Sequence, residues 1–124
     1  MGSTTRETFE HFVHLMYVEK RVRDAFRLYV APDYVQHNPN LPDGADAAIE
    51  ALEPMFNRPG FSIEIKRTLV DGDLAGLLLH ARPSPDSRGG AVFDLYRFAN
   101  GKIVEHWDVK QDIPASTVSK HPFF

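Results

Sequence analysis

The sequence contains no cysteine, which removes disulfides, thiolate metal sites and cysteine nucleophiles from consideration. It also lacks any run of about 18 apolar residues, so no segment is expected to span a membrane. No apolar signal-peptide core stands at the N-terminus, and Met1-Gly2-Ser3 reads as an expression remnant. A cytoplasmic protein is the resulting expectation. Basic charge is not in excess either: 14 Lys and Arg stand against 17 Asp and Glu, a net charge of −3. That balance offers no clustered basic face of the kind nucleic acid requires. Chemistry must therefore come from carboxylates, hydroxyls, tyrosines or the six histidines.

What is present suits one globular domain. The 124 residues are 43% hydrophobic and 25% charged, enough to bury a core. No repeat or linker divides the chain, so residues 1–124 read as a single domain with a tail at 115–124. Thr4 and Glu7 have capping-box spacing, and Phe9, Phe12, Val13, Met16 and Tyr17 follow on one helical stripe. A second stripe at Val22, Ala25, Phe26, Tyr29 and Val30 is out of phase with the first. Two helices with a break between Glu19 and Arg21 are predicted. Pro32 closes this region, Asp33 to Asn38 reads as extended, and Pro39 and Pro42 enforce a loop. Asp43 is placed to cap a third helix with Ala45, Ala48, Ile49 and Leu52 as its buried stripe. Pro54 ends or kinks it.

The second half reads as strands. Phe61, Ile63 and Ile65 alternate with Ser62, Glu64 and Lys66, and Leu74 to Leu79 suits a central strand. Asp71-Gly72 and Asn100-Gly101 are hairpin signals, with a looser turn from Asp86 to Gly90. The plan is α+β: three helices, then a four-stranded antiparallel meander with the helices on one face. The terminal Phe123-Phe124 would be covered by the pocket mouth, by a partner subunit or by solvent alone.

Residues capable of proton chemistry gather in the strands and one loop: His37, His80, Asp94, His106, Asp108 and Asp112. A two-residue loop at Asn100-Gly101 pairs Ala99 with Lys102 and Asp94 with Trp107, leaving Asp94 and Asp108 on opposite faces. A three-residue loop from Ala99 to Gly101 pairs Phe98 with Lys102 instead. Asp94 then faces His106 and shares its face with Asp108. Neighbouring carboxylates resist ionising together, which makes one a usable base or acid, and an imidazole beside them relays a proton or holds an enolate oxygen. On an outward face the same residues would be ordinary solvated strand positions. Trp107 suits core or dimer packing as well as a substrate platform. His80 in an apolar strand and His37 in its loop are equally compatible with simple hydrogen bonding.

Three segments carry a family likeness. Asp33-Tyr34-Val35-Gln36-His37-Asn38-Pro39, then Pro42-Asp43-Gly44, then Gly101-Lys102-Ile103-Val104-Glu105-His106-Trp107-Asp108 resemble the SnoaL-like polyketide cyclases. Within that family they are most similar to the aldol-condensation-catalysing branch, in the wider superfamily of nuclear transport factor 2 and ketosteroid isomerase. The likeness runs from about the second helix to Pro114. It implies a cone-shaped α+β barrel, a curved sheet wrapped round helices, with an apolar pocket open at one end and homodimers common. It places Asp108 on the acid/base aspartate that closes the aldol ring in the cyclases, and His37 on a pocket histidine of the branch. Where the cyclases carry a histidine on the preceding strand, this sequence has Asp94. Because these groups share a pocket, the likeness favours the three-residue loop.

The expectation is thus a cofactor-independent, metal-free acid/base enzyme acting on a small, largely apolar carbonyl compound by aldol, isomerase, dehydratase or hydrolase chemistry. Asp108 would be the base, His37 or His106 would hold the oxyanion, and Asp94 would tune the pair. Trp107, His80, Tyr34 and Asn38 are the candidate substrate contacts. The alternative is a non-catalytic ligand-binding or dimeric scaffold module, because fold alone does not fix function. A metal centre from His37, His80, His106 and a carboxylate has suitable residue types but no supporting short spacing.

Overall fold

A computed structural model describes residues 4–124; Met1-Gly2-Ser3 lies outside the described residues. Helix α1, Thr5–Val13, begins at the expected capping box, in which Thr4 and Glu7 satisfy each other's backbone N–H groups. It does not simply continue to Tyr17. His14–Val18 widens into a π-helical turn, and Lys20 then adopts a left-handed backbone with φ 59°. The break falls where the two stripes go out of phase. The π turn still buries Met16 and Tyr17. Helix α2, Val22–Tyr29, buries Val22, Ala25 and Phe26.

Val30, expected on the α2 stripe, is instead extended and opens strand β1, Val30–Gln36. This strand was not expected in the sheet. Its Pro32 argues against a central position but is compatible with an edge, and β1 is an edge strand running parallel to the last strand. Helix α3, Ala45–Phe56, starts at Gly44, whose φ of 98° and lack of a side-chain cap differ from the expected Asp43 cap. Asp43 accepts instead from the backbone N–H of Gln36 at 2.7 Å. Pro54 is accommodated in the last turn, and the helix runs on to Phe56.

Strands β2 (Ser62–Asp71), β3 (Leu74–Arg82), β4 (Gly90–Ala99) and β5 (Lys102–Asp112) form the expected meander. With β1 they make one mixed sheet of order β1-β5-β4-β3-β2. The edges β1 and β2 do not pair, so the curved sheet stays open. All three helices lie against one of its faces, and Phe9, Phe12, Val22, Ile49, Leu77 and Ile103 form the most deeply buried part of the core. Among the described residues no helix is long and apolar enough to cross a membrane.

The β4–β5 hairpin combines the two expectations: the turn of one and the shared face of Asp94, His106 and Asp108 of the other, in a register that neither gave. The turn is the two-residue form: Asn100 and Gly101 both have positive φ, 53° and 75°, and Ala99 faces Lys102. These are the dihedral signs of a type I′ turn, whose twist matches the flanking strands. The bulge lies further along β5. Phe98 faces Ile103 whereas Arg97 faces Glu105, so Val104 is the extra residue. That single insertion moves the register by one. It places Asp94 opposite Asp108 and Tyr96 opposite His106.

Past Asp112 the chain has no regular element. Phe124 rests against the His80 ring at 5.0 Å, with Lys66 Nζ 5.0 Å from its own centroid. This is a position on β2 and β3, and neither Phe123 nor Phe124 lines the cavity described next.

Candidate active site

Between the π turn, α3 and the concave side of the sheet lies a cavity of about 480 Å³. Met16, Leu52, Phe56, Phe61, Leu79 and Val92 give it apolar walls. Its inner polar groups come from four places: Tyr17 on the π turn, Asn38 after β1, Asp94 and Tyr96 on β4, and His106 and Asp108 on β5. Strand alternation explains the last four. Residues two apart share a face, and the Val104 bulge sets the β5 pair inward.

The polar groups form one connected network. His106 Nε2 lies 2.9 Å from Asp94 Oδ1 and 3.9 Å from Asp108 Oδ2. Its Nδ1 lies 2.8 Å from Gln36 Oε1. Tyr17 Oη donates to Asp94 Oδ2 at 2.7 Å and lies 2.5 Å from Tyr96 Oη. Asn38 Nδ2 donates to both oxygens of Asp108 at 3.0 Å. Gln36 Nε2 donates to the Tyr34 hydroxyl at 2.8 Å.

These contacts constrain the protons. The backbone N–H of Asn38 donates to Gln36 Oε1 at 3.0 Å, which fixes that atom as the amide oxygen. His106 Nδ1, facing the same oxygen, must carry a proton. The contact between Nε2 and Asp94 needs a second proton, held by the imidazole or by the carboxyl. Asp94 and His106 therefore share one proton beyond the single one of a neutral ring. Tyr17 spends its only proton on Asp94, so Tyr96 donates to Tyr17. Burial pushes both phenols well above their ordinary range, and the Asp94 charge adds to the shift. Burial also raises Tyr34, against the opposing effect of its Gln36 hydrogen bond. All three remain hydroxyl donors at neutral pH.

Asp108 differs from Asp94 in one decisive respect. Its side chain is 22% exposed against 9% for Asp94, and among the described residues its only hydrogen-bond donor is Asn38. It is the carboxylate that a molecule in the cavity could reach. Asp94, His106 and Asp108 also form the one group among the described residues whose donor atoms, all within 4.8 Å of each other, could hold a metal ion. Those atoms are already engaged by Tyr17, Asn38 and each other.

The sequence profile of the SnoaL-like domain matches residues 9–106, most of the chain. The chain belongs to the SnoaL-like family. No curated protein matches it in sequence. Among solved structures it is similar to TsrD from Streptomyces laurentii, with 20% identity, TM-score 0.65, and 85% of this chain and 86% of that one covered. It is also similar to an NTF2-like protein of unknown function from Cytophaga hutchinsonii (17% identity, TM-score 0.70, 90% and 93% covered). A third is a candidate SnoaL-like polyketide cyclase from Jannaschia sp. CCS1 (16% identity, TM-score 0.66, 89% and 90% covered). At these identities the likeness shows the fold alone.

Within this SnoaL-like frame the structure brings together Asp94, His106, Asp108 and Asn38, with Tyr34 reached through Gln36. Three other residues singled out from the sequence lie elsewhere. His37 Nε2 lies 2.6 Å from Glu105 Oε2, and its ring stacks on Trp107 at 4.9 Å and 2°. Arg97 Nε donates to the other oxygen of Glu105 at 2.7 Å. The His37 contact, followed by that from Arg97, holds the Glu105 carboxyl below the usual range. His37, Trp107 and Glu105 occupy the convex side of the sheet, because each is one residue out of phase with the inward set. His80 Nε2 lies 2.6 Å from the Arg88 carbonyl oxygen, also away from the cavity. A metal centre linking His37, His80 and His106 is therefore not formed.

Three polar members of the network were not singled out from the sequence. Gln36 sits next to His37, and reading β1 as a strand would have chosen it, since it shares the phase of Tyr34. Tyr96 follows Asp94 at strand spacing. Tyr17 was visible only as part of an apolar helical stripe.

Proposed function

We propose that this SnoaL-like protein is a cofactor-independent acid/base enzyme that enolises a small, largely apolar carbonyl compound. The observation that carries the reading is a reachable carboxylate, Asp108, standing beside the 2.9 Å contact between His106 and Asp94, which needs a proton between them. Asp108 takes the proton next to the carbonyl and becomes a carboxylic acid. The C–H electron pair moves into the enolate, whose oxygen receives the proton shared by His106 and Asp94. Asn38 holds the Asp108 carboxylate in place, and Tyr17 and Tyr96 hold Asp94. The assignment of oxyanion stabilisation to His37 is withdrawn, because its ring lies across the sheet.

Enolisation is the common first step of aldol closure, isomerisation and dehydration, so the same equipment serves each of these. The convergence of polar groups on one end of an apolar cavity favours an enzyme over a passive scaffold. A homodimer belongs to the same proposal. Val109, Leu69 and Val35 stand exposed (70%, 49% and 42%), and Val109 neighbours Trp107 on the convex side.

The test is exchange of α-protons for deuterium in a panel of small apolar ketones, followed by NMR. Wild-type protein is expected to catalyse exchange in at least one ketone, and Asp108→Asn to slow it by about 100-fold or more, the usual worth of a positioned base. Equal exchange by the two proteins would overturn the assignment.

A further inference from the structure

We propose that the substrate is an acid: an apolar molecule whose neutral carbonyl end sits at Asp108 while a carboxylate at its other end is held by Arg58 and Lys110 at the cavity mouth. The position of the carbonyl rests on the acid/base reading above; the position of the carboxylate rests on the charges described here.

The inward residues of β5 give the cavity a measurable depth. Side-chain exposure rises from 9% at His106 to 22% at Asp108, 65% at Lys110 and 89% at Asp112. Each step of two residues advances roughly 7 Å along a strand, so Lys110 stands one step outward from Asp108. Its aliphatic stem lies across Gly90, where an added Cβ would come within 2.7 Å of Lys110 Cε. Gly90 also lines the cavity, so the missing side chain lets the lysine lie along the mouth.

Arg58 faces the same cavity from the turn after α3. That turn is fixed by the Phe61 N–H donating to the Arg58 carbonyl at 3.0 Å. Among the described residues the Arg58 guanidinium has no hydrogen-bond or ion-pair partner. Lys110 has one long contact, 3.8 Å to Asp112. Two cations and one carboxylate leave the mouth positive, while the Asp108 carboxylate makes the inner end negative, the proton shared by Asp94 and His106 cancelling the Asp94 charge. An anionic group is therefore repelled from the reacting end and attracted to the rim. The apolar walls between the two ends accept a hydrocarbon body about 7 Å long, one strand step. The Arg58 guanidinium and the Lys110 ammonium, both on residues that line the cavity, supply the donors that a carboxylate accepts.

The experiment compares 1-naphthaleneacetic acid at pH 7 with its methyl ester, two ligands of nearly the same shape that differ in one charge, by titration calorimetry. Wild-type protein is expected to bind the acid about fivefold or more tightly than the ester, the combined effect of two partly exposed charges. Arg58→Gln/Lys110→Gln is expected to abolish that preference while leaving ester affinity within about twofold. Both positions are exposed, so folding is expected to persist, and raising salt on the wild-type protein should shrink the preference in the same direction. An acid bound no more tightly than its ester by the wild type, or a preference retained by the double variant, would overturn the proposal. Binding needs no turnover. An Asp108→Asn protein with undiminished exchange would remove the acid/base reading and leave this charge preference standing.

Discussion

Asp94 and Asp108 face each other directly across β4 and β5, and His106 Nε2 stands 2.9 Å from the first and 3.9 Å from the second. The two carboxylates are chemically distinct because their surroundings are. Asp94 is enclosed by donors from Tyr17 and His106, whereas Asp108 is held by Asn38 and open to the cavity. Separating a proton store from a proton acceptor in this way lets both act on one bound molecule.

Asp94→Asn tests the store. The variant loses the carboxyl that shares a proton with His106, so deuterium exchange is expected to fall by about 10- to 100-fold, toward the lower range for one acid/base group. The ¹⁵N shifts of His106 should move with it. Unchanged shifts would show that Asp94 and His106 share no proton.

Tyr17→Phe removes one hydroxyl that serves both Asp94 and Tyr96. It leaves two buried polar groups each short of a partner, which costs about 1–3 kcal/mol of stability. Urea unfolding measures this. A loss below the error of that measurement would mean that the network reorganises around the gap.

Glu105 sets a pH dependence remote from the cavity. Its carboxyl is held below the ordinary range in the folded chain by His37 and Arg97. A lowered folded pKa stabilises above the ordinary carboxylate value and ceases to do so as pH falls through the folded value. Glu105→Gln should therefore lower Tm at pH 7 relative to wild type, with the difference closing toward pH 3. A difference independent of pH would indicate lost packing instead.

His37→Ala separates the convex side from the cavity. Trp107 is the only tryptophan, and its stacking on His37 makes its emission a clean reporter. Emission should change, while α-proton exchange stays within about twofold of wild type, as expected for a surface substitution away from the site. A large loss of exchange would return His37 to the catalytic set.

Val109→Glu tests the dimer. A charge at this exposed convex position should reduce the sedimenting mass to that of the monomer if the sheet face is the interface, because an unpaired charge is costly to bury there. Exchange per chain should persist.

Local order was legible wherever one short-range signal acted alone. The capping box at Thr4 and Glu7, the phase break before Val22 and the Asn100-Gly101 turn each depend on neighbours in sequence, and each formed where its residues indicated. The signals failed where distant segments decided. Val30 to Gln36 looks weak as a strand because of Pro32, and becomes one only because β5 supplies a parallel edge. Asp43 has cap chemistry but is taken by the backbone of Gln36. The π turn at His14 leaves no mark in the spacing of apolar residues, yet it sets where Tyr17 enters the site.

The sequence alone determined the α+β order of elements, the apolar stripes and the presence of carboxylates and imidazole on the last hairpin. It could not decide which of them meet, since strand faces alternate and one inserted residue inverts every later side chain. The tertiary structure decided that through Val104. Pairing β5 with β4 on one edge and β1 on the other absorbs this residue as a bulge, turning His106 and Asp108 toward Asp94 and leaving Trp107 and His37 outside.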